Sequence, residues 1–288
     1  MLSEPERFPP AFPPLWAVAW GDDRFGLWAD MAVKGVTRQR LRWIEPGSFL
    51  MGSDPDENDR FEAEGPQHPV TLTEGYWLAD TACTQGLWLA VLGGENPSHF
   101  QGDPELPVEN VSWGEVQQFL VKLQGLLPQG TQAVLPTEAQ WEYACRADTT
   151  TAFSFGDTIS PVQVNYDGNY PYRGAPQGEY REKTVPVKSL RANAWGLYQM
   201  HGNVWEWCAD AMRDYTQAAV DNPSGATGQG ADNRAVRGGS WLYSARSARS
   251  ARRNRDPRGD RGSILGFRFA LRSTSQGAEP QEAGGPVL

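Results

Sequence analysis

The chain has 288 residues and a formal net charge of −9, with 39% hydrophobic and 11% aromatic residues, 31 Gly, 22 Pro and 12 Trp. So much glycine, proline and tryptophan favours a loop-rich fold over a helical bundle, and no stretch reaches the roughly 18 unbroken apolar residues that span a membrane. The acidic balance argues against general nucleic-acid affinity. Three dispersed cysteines, Cys83, Cys145 and Cys208, make neither a disulfide framework nor a zinc site and read as buried reduced thiols.

Residues 1–14 are acidic and proline-rich and read as an extended arm. They carry neither the basic nor the apolar region of a secretory signal, so the expected location is the cytoplasm. Leu27 to Ile44 predicts a β-hairpin turning at Lys34-Gly35. Pro46-Gly47 introduces a short apolar run to Gly52. An acidic loop from Ser53 to Gln67 follows, then a strand over Pro69 to Thr73. The helices are marked by their caps. Thr84 to Leu92 ends at Gly93-Gly94, where glycine accepts the left-handed conformation that stops a helix. Ser112-Trp-Gly-Glu115 is a capping box, followed at helical spacing by Val116, Phe119, Leu120 and Leu123. Thr137 to Gln140 repeats the device ahead of Trp141, Ala144 and Cys145. From Asp148 to Gly196 there is almost no periodicity, so that stretch needs side-chain packing or a metal ion to hold it. The expected organisation is one domain over residues 15–272 and a disordered tail over 273–288.

Common catalytic signatures are missing: there is no GxGxxG, Walker A, HExxH or GxSxG. His68, His99 and His201 lie far apart, leaving few general bases. Charge is uneven, since ten of the 22 arginines fall between Arg237 and Arg272 while the whole chain has four lysines.

Six motifs occur in order: Pro46–Gly52, Pro107–Trp113, Leu135–Cys145, Trp195–Trp207, Val236–Trp241 and Gly266–Arg268. Together they resemble the formylglycine-generating-enzyme, or sulfatase-modifying-factor, family across about Ile44 to Leu271. The resemblance implies an α+β fold, an elaborated C-type-lectin fold of few short helices, short antiparallel strands and much irregular loop. Trp195, Trp205, Trp207 and Trp241 are then rigid plates that pin loops, with Gly196, Gly202, Gly238, Gly239 and Gly266 permitting tight turns or close approach.

Enzymes of this family bind copper through two cysteines, two and seven residues after the aromatic of the Gly-Gly-Ser-aromatic motif. Here those positions are Tyr243 and Ala248. A phenol and a methyl cannot replace two soft thiolates, so neither copper nor formylglycine-generating activity is expected. The resemblance also implies structural calcium, held by Gln199, Gly202, Val204 and Glu206, with a further site starting at Asn165 and Tyr166.

The segment from Arg237 to Arg268 resembles the variable region of proteins encoded by diversity-generating retroelements, in which adenines of a template repeat are miscopied. A fixed frame is formed by Trp241, Ala245, Arg246, Arg249, Ser250, Ala251, Arg253, Asp256, Pro257, Arg261, Gly266, Phe267 and Arg268. It alternates with Leu242, Tyr243, Ser244, Ser247, Arg252, Asn254, Arg255, Gly259, Asp260, Gly262 and Ser263. Randomising the first two bases of an asparagine codon never yields Lys, Glu, Gln, Met or Trp, and none of these appears among the eleven. The frame arginines are expected to fork onto carboxylates or backbone carbonyls while the eleven side chains project outward. Tyr, Ser, Gly and Asn at such positions resemble the chemistry of antibody loops.

The expected function is non-catalytic binding of a variable macromolecular ligand, a protein, through residues 242–265 of a monomer, with no nucleic-acid or membrane partner. One alternative is an enzyme of the same fold with non-copper chemistry, using His201, Glu206 or Tyr243. Another is nucleic-acid binding through the arginine stretch, which the net charge and scarce lysines disfavour.

Overall fold

Local signals set the helices of the computed structural model, which describes residues 7–35, 37–226 and 232–274. Thr84 caps α1 (Gln85–Leu92) by accepting from the Leu87 N–H, and Gly93 ends it at φ +70°. Both predicted capping boxes are formed, at Ser112 for α2 (Trp113–Gln124) and at Thr137 for α3 (Glu138–Arg146). None of these helices is long and apolar enough to cross a membrane.

The predicted hairpin is present as β2 (Gly26–Val33) and β3 (Thr37–Ile44). It is extended outward by β1 (Ala17–Asp23) and inward by β6 (Tyr76–Ala79), two strands that the sequence reading missed. Adding β7 (Thr131–Val134) and β13 (Ala270–Ser273) completes a six-stranded antiparallel sheet in the order β1-β2-β3-β6-β13-β7. The run after Pro46 forms β4 (Gly47–Met51). It pairs with β5 (His68–Leu72), which pairs with β9 (Val220–Asp221). A third sheet orders β11 (Arg253–Pro257), β10 (Asn233–Arg237), β8 (Trp205–Trp207) and β12 (Leu265–Gly266). This mixture of short strands and three helices is the α+β architecture expected.

One apolar cluster lies between the large sheet and α1 and α2, where Trp88 stacks on Phe119 at 5.4 Å and both meet Phe267 edge-on. Such aromatic pairs add about 0.5–1.5 kcal/mol beyond area burial. A second cluster buries Trp141, Ala144 and Cys145 of α3. A third gathers Phe153, Ile159, Val164, Tyr166 and Tyr172 around Ala245 and Ala248. Side-chain packing therefore holds much of the irregular stretch. Asn203 reinforces it by accepting from Asn165 and the Val185 N–H. The first described residues dock on the sheet: the Arg7 carbonyl accepts from Trp43 at 2.7 Å, and Phe12 stacks on Trp77. The disordered tail expected over 273–288 starts too early, since Ser273 closes β13 and the Thr274 N–H bonds to the Gly130 carbonyl; the rest of it, 275–288, lies outside the described residues.

Candidate functional site

Residues 237–268 begin at the buried end of β10 and turn sharply at Gly238 (φ +99°) and Gly239 (φ +76°). A Cβ on Gly239 would stand 2.7 Å from the Ser247 carbonyl, so the turn and the single 3-10 turn at Ala245–Ala248 seat together only with glycine there. The chain then forms β11, loops through 258–264 and returns as β12 beside β8. Trp241 ties the ends of the segment, donating its indole N–H to the Ser263 carbonyl at 2.9 Å.

Four arginines in this stretch are buried and each is paired with acid, three of them as two-pronged forks. Arg237 pairs with Glu142 and donates to the carbonyls of Ser250, Ala251 and Arg252. Arg249 reaches Glu64 at 2.6 and 2.8 Å and Glu57 at 2.5 Å. Arg253 grips both oxygens of Glu138 at 2.7 and 2.6 Å, and Arg268 holds Glu206 at 2.6 and 2.8 Å. Burial opposes the charge on Glu142, yet Arg146 and Arg237 hold its pKa below the ordinary value. Burial likewise opposes charge on Arg237, Arg249 and Arg253, and the facing carboxylates outweigh it and raise all three. The buried frame thus has its charges paired and its donors largely spent, as satisfied buried ions must. Arg261 is an exception in placement, exposed but forked onto Glu115 at 2.8 and 2.9 Å.

Between these anchors the other side chains face outward. Leu242 is 45% and Tyr243 40% exposed. Arg255, Gly259 and Asp260 are exposed, and Ser244, Arg252, Asn254, Gly262 and Ser263 are half-buried. Ser247 departs from the expected outward placement. It is only 8% exposed, because its 3-10 turn is pressed onto Gly239. The backbone beneath is fixed by main-chain bonds: Asp167 N–H to Tyr243 O, Asn110 N–H to Gly262 O, Arg252 N–H to Arg249 O. Such bonds do not depend on which side chain is present, except that proline at 252 would lack the N–H.

The acidic loop 53–67, read from sequence only as a polar connection, forms the neighbouring wall. Besides Glu57 and Glu64 it offers Phe61, whose ring lies under the guanidiniums of Arg252 (3.7 Å) and Arg246 (4.0 Å). Burial pushes the Arg252 pKa down to about 10, and its Nε has no hydrogen-bond partner. No spacing in the sequence signals this contact, since the partners lie about 190 residues apart.

Where the family's enzymes place cysteines, Tyr243 packs edge-on against Trp205 and Ala248 is buried. The Ala248 carbonyl lies 2.6 Å from His201 Nδ1, and Ser154 Oγ lies 2.9 Å from Nε2. Burial drives the His201 pKa down to about 4, so the ring is neutral, donating to Ala248 and accepting from Ser154. Cys83, Cys145 and Cys208 are buried and unpaired. His201 and Glu206, candidate groups for other chemistry, are both buried and committed to protein partners.

The calcium set does not fit an ion as a unit. Asn165 Oδ1 and Gln199 Oε1 are buried acceptors without donors. Glu206, the single carboxylate of the set, gives one oxygen to Arg268 and the other to Arg268 and Trp141. Gly202 and Val204 could contribute only carbonyls, and the Gly202 N–H is bonded to Gly238. Among the described residues no three His, Cys, Asp or Glu side chains converge.

A family model described as a sulfatase-modifying factor enzyme 1-like domain matches residues 30–273. The formylglycine-generating enzyme of Streptomyces coelicolor is 32% identical over 229 residues, covering 74% of this chain and 69% of that protein. Among solved structures, Treponema denticola variable protein 1 superposes with a TM-score of 0.70 at 27% identity, covering 84% of this chain and 98% of that one. PvdO from Pseudomonas aeruginosa gives 0.68 at 28%, covering 81% and 94%. The architecture is thus the lectin-like form expected from the motifs.

Proposed function

Because the chain belongs to the sulfatase-modifying factor family, we propose that it is a non-catalytic member whose segment 242–265 presents a diversified binding face. Its partner is a macromolecule, a protein surface, contacted by Leu242, Tyr243, Arg252, Asn254, Arg255 and the tip at Gly259–Ser263. The observation that carries this reading is the split within one short segment. Frame residues such as Trp241, Arg249, Arg253 and Phe267 are buried and satisfied, while ten of the eleven candidate variable side chains are exposed or half-buried. Likeness to a protein named as variable supports it. Replacement of the paired thiols by Tyr243 and Ala248 supports the absence of copper chemistry.

Two measurements test the proposal. The neighbouring DNA should hold a near-copy of codons 237–268 that differs only at adenines, beside a reverse-transcriptase gene. A library randomised with asparagine-derived codons at the ten outward positions should fold in most members and yield binders to new proteins. Absence of the template copy together with collapse of the library would refute it.

A further inference from the structure

Away from the variable segment, a cavity of about 620 Å³ opens between the β1–β2 turn and the loop 191–198. Its lining residues include Arg24 and Arg191, both exposed, and the aromatic residues Phe25, Phe155 and Tyr198, and none of those lining residues is Asp or Glu. In a chain of net charge −9 that is a locally cationic, aromatic hollow. Neither arginine has an ion-pair partner among the described residues; Arg24 only covers Phe25 at 4.5 Å.

The hollow is held open by fixed structure. Arg42 forks onto Asp23 at 2.7 and 3.0 Å, and Asp23 accepts the Phe25 N–H, which sets the β1–β2 turn. Asn193, 3% exposed, donates to Ala144 and Cys145 carbonyls and accepts from the N–H groups of Trp195 and Leu197, which sets the opposite wall. The two walls meet at Gly196 (φ +74°), where a Cβ would stand 2.8 Å from Arg42 and 2.9 Å from Phe25. Ser154 closes the floor, tied to His201. Volume, aromatic lining and cationic donors are features of preformed small-molecule sites, and guanidiniums suit carboxylate and phosphate.

We infer that this cavity binds a small anion bearing a flat apolar group, through Arg24 and Arg191. The site is built entirely from residues outside 237–268, so its ligand stays constant whatever the variable face recognises.

Calorimetric titration of the full chain with phenyl phosphate, benzoate and inorganic phosphate tests it. One aromatic anion should bind saturably at a single site, the tighter of the two identifying phosphate or carboxylate as the ligand's charge. Inorganic phosphate should bind at least about tenfold more weakly, and the double variant R24Q/R191Q should lose at least about tenfold in affinity with an unchanged melting curve. Tyr243→Ala, on the variable face, should bind as the parent does, which separates this site from the proposed binding face. No saturable binding of either aromatic anion at millimolar concentration would overturn the inference. So would equal affinity in the double variant, equal affinity for inorganic phosphate, or loss in Tyr243→Ala.

Discussion

Within β11, Arg253 and Arg255 are two residues apart, alike in chemistry and opposite in environment, and substituting each by alanine separates frame from face. Arg253 makes four hydrogen bonds, two to Glu138 and one each to the carbonyls of Ala63 and Arg213, and lies 3.8 Å over the Tyr215 ring. Arg253→Ala leaves Glu138 buried, with Arg237 at 3.7 Å as its remaining cation. Stranding one partner of a buried pair costs about 3–5 kcal/mol. At about 2–4 °C per kcal/mol that lowers Tm by roughly 6–20 °C. Arg255→Ala removes an exposed side chain and should stay within about 0.5 kcal/mol. Urea and thermal unfolding followed by circular dichroism measure both. A loss under 1 kcal/mol for Arg253→Ala, or equal losses for the pair, would refute the division between bearing and displaying residues (the threshold being about a third of the expected cost).

Gly239→Ala should destabilise by about 1–3 kcal/mol, because it puts a methyl against the Ser247 carbonyl at positive φ; unchanged unfolding would remove the stated reason for that glycine. His201 has a folded pKa depressed to about 4 from 6.5, so the unfolded chain binds more protons between those values and stability falls as pH drops through that window. Its share between pH 7 and pH 5 is about 2 kcal/mol, and the difference between parent and His201→Gln urea curves at the two pH values isolates it. Glu115 is held down to about 2, first by its hydrogen bonds from Arg261, so its contribution is present above about 4.5 and lost toward pH 2. In Arg261→Ala, carboxyl NMR titration should find Glu115 higher, with little change in Tm because the pair is solvent-screened. Because Glu206 is spent on Arg268 and Trp141, millimolar Ca2+ or EDTA should leave the melting temperature unchanged; a clear rise with Ca2+ would overturn the reading of that set.

Elements governed by neighbours in sequence were legible. Ser112–Glu115 and Thr137–Gln140 announced two helices because a cap and its partner sit three residues apart, and Gly93-Gly94 marked where a third ends. The Lys34-Gly35 turn announced a hairpin for the same reason. β6 and β13 were missed because their four-residue runs acquire strand character only from partners far along the chain. At the site, the outward placement of the candidate variable positions was legible except at Ser247, whose burial depends on a tertiary contact with Gly239, whereas the frame positions Pro257 and Arg261 are exposed. The partners of the arginines were not legible, since Glu64, Glu138 and Glu206 carry no spacing that links them to Arg249, Arg253 and Arg268. Nor does any spacing signal that both oxygens of Glu206 meet Arg268 and Trp141.

The loop holding Glu57, Asp59 and Phe61 is clamped from the far end of the chain by Arg246, Arg249 and Arg252. On the proposed function it borders the changeable surface as a lasting rim, because Arg246 and Arg249 belong to the fixed frame even though Arg252 does not. Each new specificity would then be composed against that shared edge, with part of any footprint inherited. A reagent that recognises the rim alone would cover all such descendants at once, indifferent to what each had learned to hold.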